Sequence, residues 1–216
     1  MKRKKRHLTA KTLTLRLAAV ALVMALLALL LGFYTPLPSQ VIDQREKGFG
    51  TGPTKVLEHH WFHANPAYLL GSENSLSLLF CRYNFFYGWG SDGGTMIDLS
   101  QEVGPVWLST TLYSRSKDLT TEGEPCDLHH FGRVDWEGAE SVRLSYPSGA
   151  PENAQIFPLF RGEDGHLYFW GWQTIPWFQS SPVDYFDVDV DVLDAEGSVL
   201  YTYETNPSYT EEKLAE

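Results

Sequence analysis

Five of the seven histidines fall in two short segments, each with an acidic residue beside it, and these residue types can bind a metal ion. The first segment is LEHHWFHANP and the second is CDLHHFG. The metalloprotease motif HExxH is absent, and histidines that only form hydrogen bonds would give the same pattern. The sequence therefore offers a divalent-cation site as an alternative to structural histidines, with the candidate ligands His59, His63, His129 and His130.

The segment HLYFWGWQTIPWF contains a row of aromatic residues that would share one face of a strand. An exposed row of this kind stacks on sugar rings or anchors a protein partner, whereas a buried row is part of a core. Gly171, on the opposite face, would let another element pack closely. The candidate ligand-binding residues are Tyr168, Trp170, Trp172 and Trp177, with a buried aromatic core as the alternative.

Asp187, Asp189 and Asp191 alternate with valines, which places the carboxylates on one face of a strand. Residues on one face of a strand repeat about every 6.6–6.8 Å, too far apart to bind one ion closely. A solvated face is therefore the main interpretation. Loose binding of calcium or magnesium and docking of a basic partner are the alternatives.

Cys81 and Cys126 are the two cysteines, and a disulfide between them is expected. It would close a loop of roughly 46 residues and stabilise the fold by about 4 kcal/mol. Two unpaired thiols in a core are the alternative. A Cys/His nucleophile formed by Cys126 and its neighbouring histidines is formally possible but incompatible with the disulfide.

Sequence motifs of common enzyme classes are absent: there is no GxSxG, no Walker loop and no GxGxxG that opens a helix. The chain is therefore interpreted as a binding protein rather than an enzyme. A metal-dependent or carbohydrate-active envelope enzyme and a structural subunit of a membrane complex are the alternatives.

Short aromatic and β-branched runs separated by turn residues predict a mainly β fold. An antiparallel β-sandwich or a partly open barrel is expected, with an α+β fold as the alternative. The clearest unit is a hairpin in which DAEG joins the last two strands and Gly197 adopts a positive φ. The predicted strands are 55–62, 75–87, 95–99, 106–113, 141–146, 155–160, 166–172, 185–193 and 198–204.

A basic cluster at the start of the chain is followed by an uncharged apolar stretch from Leu17 to Tyr34. This stretch would span roughly 27 Å as a helix, close to the roughly 30 Å hydrocarbon thickness. Basic residues stay on the cytoplasmic side, so the rest of the chain is expected outside, anchored to the plasma membrane by a single pass. Secretion after cleavage of a signal peptide is the alternative.

Five regions are predicted along the chain: a cytoplasmic tail (1–16), a transmembrane helix (17–34), a stalk (35–53), an extracytoplasmic β domain (54–205) and a polar tail (206–216). All 27 acidic residues follow the apolar stretch, with only ten of the 17 Lys and Arg. The formal charge of −17 in this part excludes nucleic acid as a partner and favours cations and basic partners, with an acidic surface that serves solubility alone as the alternative. A basic protein or a glycan is the expected partner. The sequence thus predicts a membrane-anchored extracytoplasmic binding module with an unidentified ligand.

Overall fold

A computed structural model describes residues 10–30, 35–49, 52–62, 64–101, 104–114, 125–146, 154–176 and 187–204. Its helices are α1 (Ala10–Leu30) and α2 (Ser39–Phe49). The first strands are β1 (Lys55–Phe62), β2 (Asn65–Gly71), β3 (Ser75–Asn84), β4 (Gly88–Asp98), β5 (Val106–Ser114) and β6 (Pro125–Val134). The remaining strands are β7 (Ser141–Ser145), β8 (Gln155–Pro158), β9 (Phe160–Arg161), β10 (Leu167–Pro176), β11 (Asp189–Leu193) and β12 (Val199–Tyr203).

The strands form three four-stranded sheets in which every pairing is antiparallel. Sheet 1 has the order β1-β2-β3-β4, sheet 2 has β5-β6-β10-β9, and sheet 3 has β12-β11-β7-β8. The prediction of a mainly β protein is confirmed. Each sheet has two open edges within the described residues, so none of them closes into a barrel there.

Two hydrophobic clusters place sheet 2 between the other two sheets. Alternate residues of β6 face opposite ways, so Phe131 packs in the cluster shared with sheet 1 and Leu128 in the cluster shared with sheet 3. The valines of β11 complete the second cluster, as their alternation with aspartates predicted. A central sheet is buried on both faces, which explains why nearly all of β6 is inaccessible to solvent.

Helix α2 lies on the outer face of sheet 1, within the segment predicted to be a stalk. Its Val41 and Ile42 are buried against Leu70, Leu79 and Cys81. This helix was not among the predicted elements, because its apolar patch is so short. Such a patch gives no clear periodicity in the sequence, and docking on the sheet supplies the stability that a short helix lacks in water.

The hairpin around DAEG is confirmed, since β11 and β12 pair across it and Gly197 has a φ of 81°. The close approach expected at Gly171 is also confirmed. A methyl group added there would overlap the ring of Phe157, which packs from sheet 3. Strands β2 and β6 were not predicted.

The predicted disulfide is absent, and this is a correction. Cys81 and Cys126 are both free and buried. Cys81 packs beneath α2 on the outer face of sheet 1, whereas Cys126 lies in the cluster between sheets 2 and 3. The side chains therefore point into different layers and cannot meet. Burial is also the main reason that the pKa of the Cys81 thiol is raised to about 12, which keeps this thiol protonated and unreactive.

We expect reducing agents to leave the melting temperature unchanged, because no disulfide constrains the unfolded chain. The measurement is thermal unfolding of the full chain in detergent, with and without dithiothreitol. A clear decrease in melting temperature on reduction would contradict the free-thiol arrangement. A Cys126→Ala variant that loses this sensitivity would then identify the bond.

Helix α1 is long and apolar enough to cross a membrane. An 18-residue window from Lys11 to Ala28 has a mean hydropathy of 1.8, and none of it is buried against the rest of the protein. Its length and position near the N-terminus fit a signal anchor and a signal sequence equally well. Residues 31–34, the end of the predicted span, lie outside the described residues.

Candidate functional site

Three side chains meet where the interface between sheets 1 and 2 opens to solvent, and we call them the β1–β10 site: Glu58, His60 and Trp172. The His60 and Trp172 ring centroids are 5.0 Å apart. His60 Nε2 lies 2.8 Å from Glu58 Oε1, and both side chains are about one-third exposed. Trp172 is 40% exposed. An accessible indole therefore lies beside a carboxylate–imidazole pair.

Strand alternation explains how these residues come together. Glu58 and His60 are two apart on β1, so both face sheet 2, and Trp172 faces sheet 1 from β10. The pairing of β1 with β2 is irregular between Val56 and Glu58. A bulge of this kind changes the direction in which side chains point. Leu57, the residue before Glu58, therefore also packs into the cluster between sheets 1 and 2.

His129 lies beneath the site and is completely buried. Trp170 Nε1 donates a hydrogen bond of 3.3 Å to His129 Nδ1, which puts the proton of the neutral ring on Nε2. This Nε2 has no hydrogen-bond partner. The ring centroids of Phe62 and Phe80 each lie 4.9 Å from that of His129. Burial lowers the pKa of His129 to about 3, so the ring stays neutral.

The neighbouring His130 faces the other way, towards sheet 3, and has a complete set of partners. Its Nδ1 is 2.9 Å from Thr110 Oγ1 and its Nε2 is 2.8 Å from the Tyr146 hydroxyl. Gln173 Nε2 also donates to that hydroxyl at 2.6 Å. Burial lowers the pKa of His130 to about 4. His130 is therefore a neutral structural residue in the described structure.

The candidate metal ligands that the structure describes do not converge. His59 stacks on Tyr68 at 6.1 Å on the outer face of sheet 1, and His129 and His130 point to opposite faces of sheet 2. His63 lies outside the described residues. Among the residues that the structure describes, no group of three or more His, Cys, Asp and Glu side chains could hold a metal ion.

The acidic strand face is partly neutralised by the protein itself. Arg143 donates to Asp191 Oδ2 from Nε at 3.1 Å and from Nη2 at 2.6 Å, and Thr202 donates to Asp191 Oδ1. Partial burial, followed by the nearby carboxylates, raises the pKa of Asp189. Asp191 therefore already has a cationic partner in Arg143.

The predicted aromatic row divides into two parts. Tyr168 is 1% exposed and Trp170 is 7% exposed, so both are core residues and cannot stack on a ligand. Trp172 is the member of the row, within the described residues, that presents its ring to solvent, and Trp177 lies outside them. The alternation placed these rings correctly on one face, but burial is decided by how far sheet 1 extends over that face.

A groove of about 440 Å³ lies at the other end of the same interface, next to the first residues of β1. It is bounded by the turn between β9 and β10, and Lys55 forms an ion pair of 3.3 Å with Glu163 across it. Basic and acidic residues balance in its lining: Lys55, Arg133, Arg161, Glu73, Glu163 and Asp164. The groove and the β1–β10 site therefore follow one edge strand.

Sequence reasoning missed the pairing of Glu58 with His60. The available signal was the E-x-H spacing within a predicted strand, which puts both side chains on one face. The groove gave no sequence signal, because residues far apart in the chain line it.

No protein family model matches the chain, and no curated protein or solved structure is significantly similar to it. The class is therefore defined by the structure: a mainly β protein of three antiparallel sheets with one N-terminal apolar helix long enough to cross a membrane.

Proposed function

We propose that this protein is a membrane-anchored binding module whose extracytoplasmic β domain binds a carbohydrate at the β1–β10 site. The observation that carries the proposal is the exposed indole of Trp172 beside the Glu58–His60 pair. In this proposal α1 is an uncleaved anchor, its basic end stays in the cytoplasm, and the stacked sheets form an extended β-sandwich.

A sugar ring has an apolar face of C–H groups and a rim of hydroxyls, and the site offers a partner for each. The exposed face of Trp172 can stack on the C–H face. Glu58 and His60 can then accept and donate hydrogen bonds at the rim, as the few polar groups of a ligand site do.

Charge narrows the class of carbohydrate. The part of the chain after the apolar helix carries a formal charge of −17, which repels anionic polymers. The carboxylate of Glu58 adds to this repulsion locally. A neutral sugar or a cationic amino sugar is therefore the expected ligand, and a phosphate-rich or uronic-acid polymer is not.

We expect Trp172→Ala to weaken oligosaccharide binding by about five- to thirtyfold, since losing a stacked ring costs about 1–2 kcal/mol. Binding of neutral and amino-sugar oligosaccharides to the full chain in lipid nanodiscs is measured by calorimetry, which avoids competition from sugar-based detergents. Glu58→Gln should weaken amino sugars more than neutral ones, because it removes a charge.

The matched control is Trp61→Ala. Trp61 lies on the same strand as His60, is 58% exposed, and faces the other side of sheet 1, where it packs against Trp89 at 6.1 Å. Its removal should leave binding unchanged. Equal losses in the two tryptophan variants, or no binding of any oligosaccharide, would overturn the assignment of a carbohydrate ligand.

A further inference from the structure

The turn between β3 and β4 exposes three consecutive aromatic residues. Phe85 is 79% exposed, Phe86 is 77% exposed and Tyr87 is 69% exposed. The two phenylalanine rings pack edge to face, 5.5 Å apart, so they form one apolar projection. Large apolar side chains grouped in this way on a surface mark a site of interaction with a partner or a membrane.

This turn is fixed to the chain segment that follows the apolar helix. Thr35 N donates to Tyr87 O at 3.0 Å, and Trp89 N donates to Thr35 O at 2.8 Å. Gly88 makes the contact possible, since it has a φ of 75° and an added Cβ would lie 2.2 Å from Thr35 O. Gln44 of α2 donates to the Thr35 hydroxyl at 3.0 Å and holds the segment from the other side.

The length of the connection limits how far the turn can lie from the membrane. Helix α1 ends at Leu30, five residues before Thr35. Five residues span at most about 18 Å when fully extended. Thr35 bridges to Gly88, the residue next to Tyr87, so the aromatic turn is on the membrane-proximal side of the β domain.

The composition of the turn suits the membrane surface. The stretch from Tyr83 to Ser91 carries no charge, although the region after the apolar helix is strongly acidic overall. Aromatic residues are enriched at the level of the lipid headgroups, where an apolar ring can be buried and a hydroxyl such as that of Tyr87 stays hydrated.

We propose that Phe85, Phe86 and Tyr87 insert into the interfacial region of the bilayer that α1 crosses. The inference rests on the anchoring role of α1 given in the proposed function. The protein then has two attachments to one membrane, the helix and the turn, and these fix the orientation of the β domain. A single flexible stalk would leave that orientation free.

The test places an environment-sensitive fluorophore on the turn of the full chain. A Phe86→Cys variant is labelled with an NBD maleimide and reconstituted into phosphatidylcholine vesicles. The two native thiols are buried and react poorly with the maleimide. The unsubstituted chain, labelled in the same way, is the control for their reaction. Ile156→Cys is the matched site, since Ile156 is 61% exposed and lies in sheet 3, which sheet 2 separates from the sheet that carries the aromatic turn.

We expect blue-shifted emission at position 86 and strong quenching by lipids that carry a nitroxide high on the acyl chain. The label at position 156 should show neither effect. Equal exposure of both labels to water would overturn the inference. A blue-shifted label at 86 that lipid nitroxides do not quench would also overturn it and would identify a protein contact instead.

Carbonate extraction of the same vesicles separates this inference from the anchoring role. If the protein resists extraction but the label at position 86 stays in water, the anchoring role of α1 stands and only the insertion of the turn is overturned. If carbonate releases the protein, both the anchoring role and the insertion of the turn are overturned, because the turn would then have no fixed distance from a bilayer.

Discussion

Lowering the pH from 7 to 4.5 is expected to reduce the free energy of unfolding by roughly 3–5 kcal/mol, mainly through two buried histidines. Burial lowers the pKa of His129 to about 3 and that of His130 to about 4, from an ordinary value of 6.5. Both rings are inaccessible to solvent in the folded protein.

Stability falls as the pH is lowered because the unfolded chain binds more protons than the folded protein does. Well above pH 6.5 both histidines are neutral in the folded and the unfolded chain, so they contribute no pH dependence there. Below pH 6.5 the unfolded chain takes up protons that the folded protein refuses, and stability falls until the pH reaches the lowered pKa values. The raised pKa of Asp189 acts in the opposite direction and moderates the loss.

The measurement is urea unfolding of the full chain in zwitterionic detergent at several pH values between 7 and 4.5. His129→Gln and His130→Gln should each flatten the dependence, because each removes one site of proton uptake. His59→Gln is the control, since it removes an exposed imidazole that lies outside the two buried sites. A steep slope that persists in both buried-site variants would contradict the explanation.

Local sequence patterns predicted the fold best where one strand face is buried and the next strand is nearby. The β11–β12 hairpin satisfies both conditions, since its valines alternate with aspartates and a short turn joins the strands. Strand β1 was also predicted with the bounds that the structure has. Alternation and turn chemistry are local properties, and they can be recognised in one chain.

Strand β6 shows why the rest could not be predicted. Its segment PCDLHHFGRV contains two histidines and an aspartate, so it does not resemble a buried strand. Most of those polar groups have hydrogen-bond partners elsewhere in the chain, although His129 Nε2 has none. Thr174 donates to Asp127 at 2.7 Å and Tyr146 lies within hydrogen-bond distance of His130. No local pattern reveals such partners.

The candidate site could be predicted only in part, because the exposure of its residues also depends on strands that are distant in the sequence. Trp172 was among the candidate residues, but the sequence could not separate it from Trp170 because both point to one face. Which ring stays exposed depends on where sheet 1 ends above sheet 2. That depends on packing between strands that are more than 100 residues apart.

Gly132→Ala is expected to destabilise the protein by about 3 kcal/mol, which is at the upper end of the usual cost of overpacking a core. Gly132 lies in the central strand β6, opposite Leu108 of β5 and Phe169 of β10. An added Cβ would lie 2.0 Å from the backbone oxygen of Trp107 and 2.6 Å from the Phe169 ring. The backbone oxygen belongs to a paired strand, so relief requires a shift of β5 itself.

Gly90→Ala is the control, because no atom lies within 4 Å of a Cβ at that position. Thermal unfolding of both variants measures the difference in stability. Equal melting temperatures for the two would show that sheet 2 is looser around Gly132 than these contacts require.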